Sequence, residues 1–232
     1  MNSPWAAIFD WDGVIIDSAR EHERAWELLA AETGLPLPDD HFRRGFGRKN
    51  EYIIPEILGW SKDPTLIRQL SDRKETLYRQ LVATNGTRLL PGSRELLAEL
   101  RDRRIPAAVG SSTPRANIEL HFAITGLGQY FQAVVCAEDV TRGKPDPEVF
   151  LKAAAGLQMP PARCVVFEDA IAGLQAARAG GMKTIGIATT RPLSDLVHAD
   201  LTASSLADVS LAHIGALFSE IQGAACPLAR PL

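Results

Sequence analysis

The 232-residue chain predicts an α/β fold, with a doubly wound, Rossmann-like parallel sheet as its core and a helical segment inserted after the first strand. Three observations predict it. Past residue 90, short and nearly continuous apolar runs alternate with stretches of helical periodicity, the pattern of a parallel sheet covered on both faces. Residues 35–89 are more polar, with helical spacing and no convincing strand. Ahead of that segment a single apolar run, Ala6-Ala7-Ile8-Phe9, reads as a buried strand that Gly13 breaks. The core is therefore expected to comprise residues 1–17 and 90–232, and the helical insertion residues 18–89.

Taken in order, the first strand runs into Asp10-Trp11-Asp12-Gly13. Side chains alternate along a strand, so Asp10 and Asp12 project the same way and Trp11 the other. Two carboxylates at a strand end form a costly like-charge pair, which a cation or a reaction would justify. Nucleophilic attack by one acid and proton transfer by the other, over a bound metal, is the chemistry the pair suits; a solvated loop is the plainer alternative. Ser18 is placed to cap a helix, with Glu21 at the capping-box position, Ala25, Leu28 and Leu29 at helical spacing, and Gly34 at the end. Leu90-Pro91-Gly92 marks a break. Strands are then expected at 107–110, 133–137, 164–168 and 183–187, with a weaker one near 200–203. Helices are expected at 93–102, 114–124, 147–156, 170–179 and 205–218. The tail from Gly223 to Leu232, with two prolines and no periodicity, is expected to be loosely held.

Composition narrows the function. Hydrophobic residues make up 46% of the chain, enough for a sizeable core. A net charge of −3 offers no broad basic field, so nucleic acid is not an expected partner. No apolar run approaches a membrane span, and Asp10 and Asp12 interrupt any signal-like core at the N-terminus. Three scattered cysteines, Cys136, Cys164 and Cys226, fit a reducing cytoplasm better than a disulfide framework or a metal cluster.

In doubly wound sheets ligands bind beyond the carboxyl ends of the strands, and three further segments fall at such ends. Val109-Gly110-Ser111-Ser112-Thr113-Pro114 ends a strand and opens a helix, with Thr113 as its cap and Pro114 as its first residue. A hydroxyl and free N–H groups there make an anion site, or an ordinary capped turn. In Gly143-Lys144-Pro145-Asp146-Pro147, Asp146 is expected to cap the next helix. The Lys144 ammonium is placed to reach a phosphate or the carboxylates, unless it is simply solvated. In Phe167-Glu168-Asp169-Ala170, two acids again end a strand. Asp169 facing Asp10 gives a hard oxygen site suited to Mg²⁺, a role compatible with capping the helix that follows, and Glu168 is a further ligand or an outer support.

Asp10-x-Asp12-Gly13, Ser111, Lys144-Pro145 and Glu168-Asp169, in this order, resemble the signatures of the haloacid dehalogenase superfamily of aspartate-nucleophile phosphotransferases. Asp17-Ser18-x-x-x-His22-x-x-x-Trp26, Gly45-Phe46-Gly47-Arg48 and Glu168-Asp169-Ala170-x-x-Gly173 are similar to its β-phosphoglucomutase-like branch. The resemblance implies an aspartyl phosphate on Asp10 and Asp12 as general acid and base. It implies Mg²⁺ on the Asp10 and Asp169 carboxylates and the Asp12 backbone carbonyl, with Ser111 and Lys144 on the transferring phosphoryl group. It implies a mobile cap whose Arg48 contacts substrate, a second phosphate or a carboxylate. His22 is placed near the hinge and Asp12, and Ser112, Thr113 and Arg115 follow Ser111 where a mutase would hold a distal phosphate; Pro114 there donates nothing. Arg43 and Arg44 read as a solvated basic face, and Lys74 matches too loosely to assign. A Mg²⁺-dependent phosphatase of a small phosphorylated metabolite, most simply a sugar phosphate, leads. β-Phosphoglucomutase is the alternative, and a non-catalytic binding protein on the same fold is a third. A monomer or weak dimer in the cytoplasm is expected.

Overall fold

The computed structural model describes residues 4–218. Strand β1 (Ala6–Phe9) is completely buried and pairs in parallel with β4 (Ala107–Gly110) on one side and β6 (Cys164–Glu168) on the other. With β5 (Ala133–Val135), β7 (Lys183–Ile187) and β8 (Leu201–Ala203) they form a six-stranded parallel sheet in the order β5-β4-β1-β6-β7-β8. The strand period sorts its side chains. Ala7, Phe9, Val109, Val165 and Phe167 enter one apolar cluster, and Ala6, Ile8, Ala108, Cys164 and Val166 enter another. Helices α5 (Ser93–Asp102) and α6 (Arg115–Thr125) cover the first face; α7 (Glu148–Gly156) and α8 (Ile171–Ala179) cover the second. The predicted doubly wound core is thus observed. Cys136 and Cys164 are buried free thiols. Cys226 and the tail lie outside the described residues.

Between β1 and β4 the chain builds a helical cap around its own apolar cluster. Ala25, Trp26 and Leu29 of α1 (Ala19–Thr33) meet Ile53, Ile54, Ile57 and Leu58 of a π-helical turn (Ile53–Leu58). Leu70, Leu77, Tyr78 and Val82 of α4 (Pro64–Asn85) complete it. Two short helices, α2 (His41–Gly45) and α3 (Asn50–Tyr52), flank the loop between them. Gly34 closes α1 in the left-handed conformation, as its position predicts.

Four expectations need correction. Residues 35–89 are not free of strand: β3 (Arg88–Leu89) pairs antiparallel with β2 (Ile16–Asp17), joined by an Arg88–Asp17 ion pair of 2.6 Å. Two residues are too few to show a period, so the chain's entry to and exit from the cap went unread. β5 stops at Val135, because Cys136 caps a 3₁₀ turn, Ala137–Asp139. The expected helix 205–218 is a 3₁₀ turn (Leu206–Asp208) and a short α9 (Leu211–Ala216), separated where Ser210 starts a new cap. Asp146 does accept a bond from Glu148 N (3.0 Å), but the residue at the cap of α7 is Pro147.

Trp11 is fully buried, edge-on to Phe122 and Phe131 at centroid distances of 5.2 and 6.1 Å. Its indole N–H has no hydrogen-bond partner, so the ring acts here as bulk. Trp11→Ala is expected to cost about 3–5 kcal/mol in urea unfolding, and Trp11→Phe clearly less. Equal losses would mean that the indole nitrogen, not the packed volume, carries the contribution.

Candidate active site

Parallel pairing places the carboxyl ends of β4, β1 and β6 side by side, and the site is built there. Phe9 is in register with Phe167, and Asp10 N donates to Phe167 O (2.9 Å), which sets Asp10 beside Glu168 and Asp169. All three acids are essentially out of solvent, with carboxylate oxygens close enough to share one ion. Lys144, 5% exposed, reaches between them: its Nζ lies 3.0 Å from Asp10 Oδ1 and donates to Glu168 Oε2 at 2.8 Å. Of the two roles open to Lys144 from the sequence, the structure shows it on the carboxylates. Glu168 is fixed twice, since its Oε1 also accepts from Ala170 N at 3.0 Å. A Cβ at Gly173 would collide with the Glu168 carboxyl group, so the glycine that opens α8 makes room for this acid. Gly13, at φ +78°, plays the same part for Asp169, where any side chain would strike its carboxylate.

Burial raises Asp10, the neighbouring Glu168 charge adds to it, and Lys144 only partly offsets both, leaving Asp10 at about 7. Burial, Glu168 and Asp10 likewise raise Asp169. Lys144 behaves in reverse. Burial opposes its charge, but Asp10 and Glu168 outweigh burial and hold the ammonium firmly protonated. Asp169 Oδ1 is buried without a hydrogen-bond partner, while Asp10 Oδ1 meets only the Lys144 ammonium. With Glu168 beside them they form an acidic cluster that fits a divalent cation.

Asp12 has a different environment. It accepts from Ser18 Oγ at 2.5 Å, from Thr113 Oγ1, and faces His22 Nε2 at 3.3 Å. Burial acts to raise it, yet the facing His22 and the bonds from His22, Ser18 and Thr113 hold it well below the usual carboxylate range. These contacts correct the sequence analysis. Ser18 does sit at the cap of α1, but its hydroxyl makes no cap bond and goes to Asp12. Thr113 does not cap α6; Pro114 holds that position, and the Thr113 hydroxyl also goes to Asp12. Asp169 is not a cap either, since Ala170 precedes α8, and its Oδ2 accepts from Thr190 Oγ1. For Ser18 and Thr113, local capping lost to the buried Asp12 carboxylate.

Asp10, Asp12, Ser111, Ser112 and Thr113 form the floor of a cavity, and the cap supplies its other wall, including His22, Arg48, Lys74 and Glu75. Ser111 Oγ accepts from Thr113 N at 3.2 Å, a tight turn at the strand end. Arg48 lies with its guanidinium 4.5 Å above the Tyr52 ring. Arg115 is not in the cavity wall. It is drawn away to Asp139 (2.5 Å), and its backbone N–H is bonded to Glu138. Arg43 and Arg44 are exposed, as expected.

Sequence reasoning missed a buried polar chain behind His22. Lys74 Nζ donates to His22 Nδ1 (2.7 Å) and to Glu75 Oε1 (2.9 Å). Glu75 also accepts from Asn50 Nδ2 (2.7 Å) and from Asn117 Nδ2 (2.6 Å), which belongs to the core. The acceptor role of Nδ1 toward the Lys74 ammonium leaves the Nε2 proton of His22 for Asp12. Lys74, Glu75 and Asn117 look like surface residues of charged helices, and only the packing of α4 on α6 brings them together. Thr190 was findable, because it follows the end of β7 as Asp10 follows β1.

A family model described as a haloacid dehalogenase-like hydrolase matches residues 6–181. The chain is 38% identical over 214 residues to the chloroplastic 5-amino-6-(5-phospho-D-ribitylamino)uracil phosphatase of Arabidopsis thaliana, covering 91% of this chain and 57% of that protein's length. It is 34% identical to the β-phosphoglucomutase of Bacillus subtilis, over 89% of this chain and 92% of that one. Among solved structures, β-phosphoglucomutase from Clostridium difficile superposes with a TM-score of 0.83 at 26% identity, covering 96% and 100%. No helix among the described residues is long and apolar enough to cross a membrane.

The Asp10 environment has a measurable consequence for the metal-free protein. Its folded pKa is raised, so the native state holds the proton up to about 7, whereas the unfolded chain releases it near its ordinary value of 3.8. The resulting destabilisation grows as pH climbs through that window and is complete above it. Asp10→Asn removes it. In excess EDTA, the gain in melting temperature from this substitution is expected to be larger at roughly pH 8 than at roughly pH 5. An equal gain at both would mean that the carboxyl is ionised throughout.

Proposed function

The chain belongs to the haloacid dehalogenase-like hydrolases, and from that premise we propose that it is a Mg²⁺-dependent phosphatase of a small phosphorylated metabolite, working through an aspartyl phosphate on Asp10. One observation carries the proposal. Asp10 meets a buried ammonium and two further acids, whereas Asp12, two residues on, faces the same cavity in a separate, well-solvated-by-protein niche of hydroxyls and imidazole. Two acids with environments this different divide into a nucleophile and a proton carrier.

In the first step an Asp10 carboxylate oxygen bonds to phosphorus, the bond from phosphorus to the substrate's alcohol oxygen breaks, and that oxygen takes the proton from Asp12. In the second, Asp12 takes a proton from water, whose oxygen bonds to phosphorus as the Asp10–phosphorus bond breaks, and inorganic phosphate leaves. Asp12 is held ionised in the free protein. A phosphate dianion brought beside it raises its proton affinity, so substrate binding arms it as an acid. Lys144 and the Ser111 hydroxyl neutralise and orient the phosphoryl oxygens. Asp10, Asp169 and Glu168 would hold Mg²⁺, which supplies positive charge to the phosphoryl group when bound. The insertion, residues 18–89, acts as a lid that excludes bulk water.

A phosphomutase would use the same nucleophile and pass the phosphoryl group to a sugar phosphate. That requires a grip on a second phosphate. Pro114 has no donor to give, and Arg115, the strong candidate beside it, is committed to Asp139 outside the cavity wall. Water is therefore the acceptor. The relatives named above include a phosphatase and a phosphomutase, consistent with either acceptor on this fold.

Phosphate release from at least one small phosphate monoester is expected at about 1 s⁻¹ or faster, and ahead of any conversion of β-glucose 1-phosphate to glucose 6-phosphate with bisphosphate primer present. Isomerisation that outruns phosphate release on every substrate would establish the mutase. Asp10→Asn should lower kcat by roughly 10³-fold or more while leaving the circular dichroism spectrum unchanged. Activity should vanish in EDTA and return with Mg²⁺, and Asp169→Ala should shift the Mg²⁺ titration to much higher concentration. An unmoved titration would remove Asp169 from the metal site.

A further inference from the structure

The cap wall of the cavity does not resemble a receptor for a second phosphate. Its apolar part is largely aromatic: Trp26, Phe42 and Phe46 line it with Ile53 and the His22 ring. Phe42 and Phe46 stand 5.0 Å apart, and Phe46 is edge-on to His22 at 6.4 Å. Both phenylalanines are only half-buried, so part of their ring surface is open toward the cavity. The charged residues of the same wall are balanced. Glu51 and Glu75 face the cavity with Arg48 and Lys74. The Lys74 ammonium is already held by Glu75 and His22, and the Arg48 guanidinium sits over the Tyr52 ring. Glu75 is fixed in place by Asn50 and Asn117, which leaves it as an acceptor for a hydroxyl or N–H group and as a repulsive charge for a phosphate.

We infer that the cavity selects phosphate monoesters whose alcohol carries a planar aromatic or heterocyclic ring, and that it disfavours sugar bisphosphates. The inference rests on the phosphatase proposal above and names its substrate class. With the phosphoryl group at Asp10 and Lys144, the remainder of the substrate extends beneath the cap. A flat ring there finds the faces of Phe42 and Phe46, and hydroxyl or N–H groups find Glu75. A terminal phosphate in the same place meets the Glu51 and Glu75 carboxylates, and of the wall's cations Lys74 is already held by Glu75 and His22 while Arg48 is drawn over Tyr52.

Three probes test this: ribose 5-phosphate, uridine 5′-monophosphate, which adds a ring, and ribose 1,5-bisphosphate, which adds a phosphate to the same sugar. Titration calorimetry with the Asp10→Asn protein in Mg²⁺ reads binding without turnover. The uridine ester is expected to bind about tenfold more tightly than ribose 5-phosphate, as base–aromatic stacking allows, and the bisphosphate no more tightly than ribose 5-phosphate. Adding Phe46→Leu, which keeps apolar bulk and removes the ring, should cut the advantage of the uridine ester by about fivefold. Equal binding of the uridine ester and ribose 5-phosphate, tightest binding of the bisphosphate, or a ring advantage untouched by Phe46→Leu would overturn the inference. Phosphate release by the unsubstituted protein from the same three probes separates the two claims. Ring-selective binding with no release from any probe sinks the phosphatase proposal and keeps the selectivity; release without ring preference does the reverse.

Discussion

The site depends on one buried ammonium. Asp10, Glu168 and Asp169 come together because two adjacent parallel strands end in acids, and burying three carboxylates without a cation is prohibitive. Lys144 answers two of them directly, at 3.0 and 2.8 Å, from a loop on the far side of β4 and β5 in the chain. Its charge does not balance all three: burial and then the neighbouring carboxylates raise the proton affinity of Asp10 and Asp169, and Asp169 Oδ1 is left without a partner. A centre left two positive charges short is poised for a divalent cation.

Asp12 shows the same economy by other means. It has no ammonium of its own and is satisfied by two hydroxyls and an imidazole drawn from three different elements. Ser18 and His22 come from the start of the cap, and Thr113 from the core. The imidazole is in turn backed by Lys74 of α4, whose neighbour Glu75 bonds Asn117 of α6. Asp12, the proposed proton carrier, is therefore wired to the cap–core contact. Opening the cap would move His22 and Ser18 relative to Asp12, so its ionisation is linked to closure by direct contacts.

Much of this was legible in the sequence. Asp10, Asp12, Ser111, Glu168 and Asp169 were found because each lies at or just past the end of an apolar run, which the parallel sheet converts into proximity, and Lys144 from its place between Gly143 and Pro145 ahead of a helix. Misjudgments came where one residue type has two uses. Ser18, Thr113 and Asp169 all satisfy the local rule for a helix cap, and no local pattern reveals that a buried carboxylate or hydroxyl elsewhere competes for them. Arg115 was placed by its distance in sequence from Ser111, but the acids of the 137–139 turn, which hold it, are close only in the fold. Lys74 matched its motif too loosely to assign, and Glu75 sits on a polar helix that reads as solvated; α4 packing on α1 and α6 buries both. The two-residue strands β2 and β3 at the root of the cap were too short for any periodicity.

The central claim is that phosphorus becomes covalently bound to Asp10. Rapid quenching during turnover, borohydride reduction of the acyl phosphate and peptide mass spectrometry address it directly. The account predicts that the peptide spanning Phe9 to Gly13 carries homoserine in place of Asp10, only when substrate and Mg²⁺ are both present. Sustained turnover with Asp10 unmodified, or with the reduced acyl group on another acid, would contradict it.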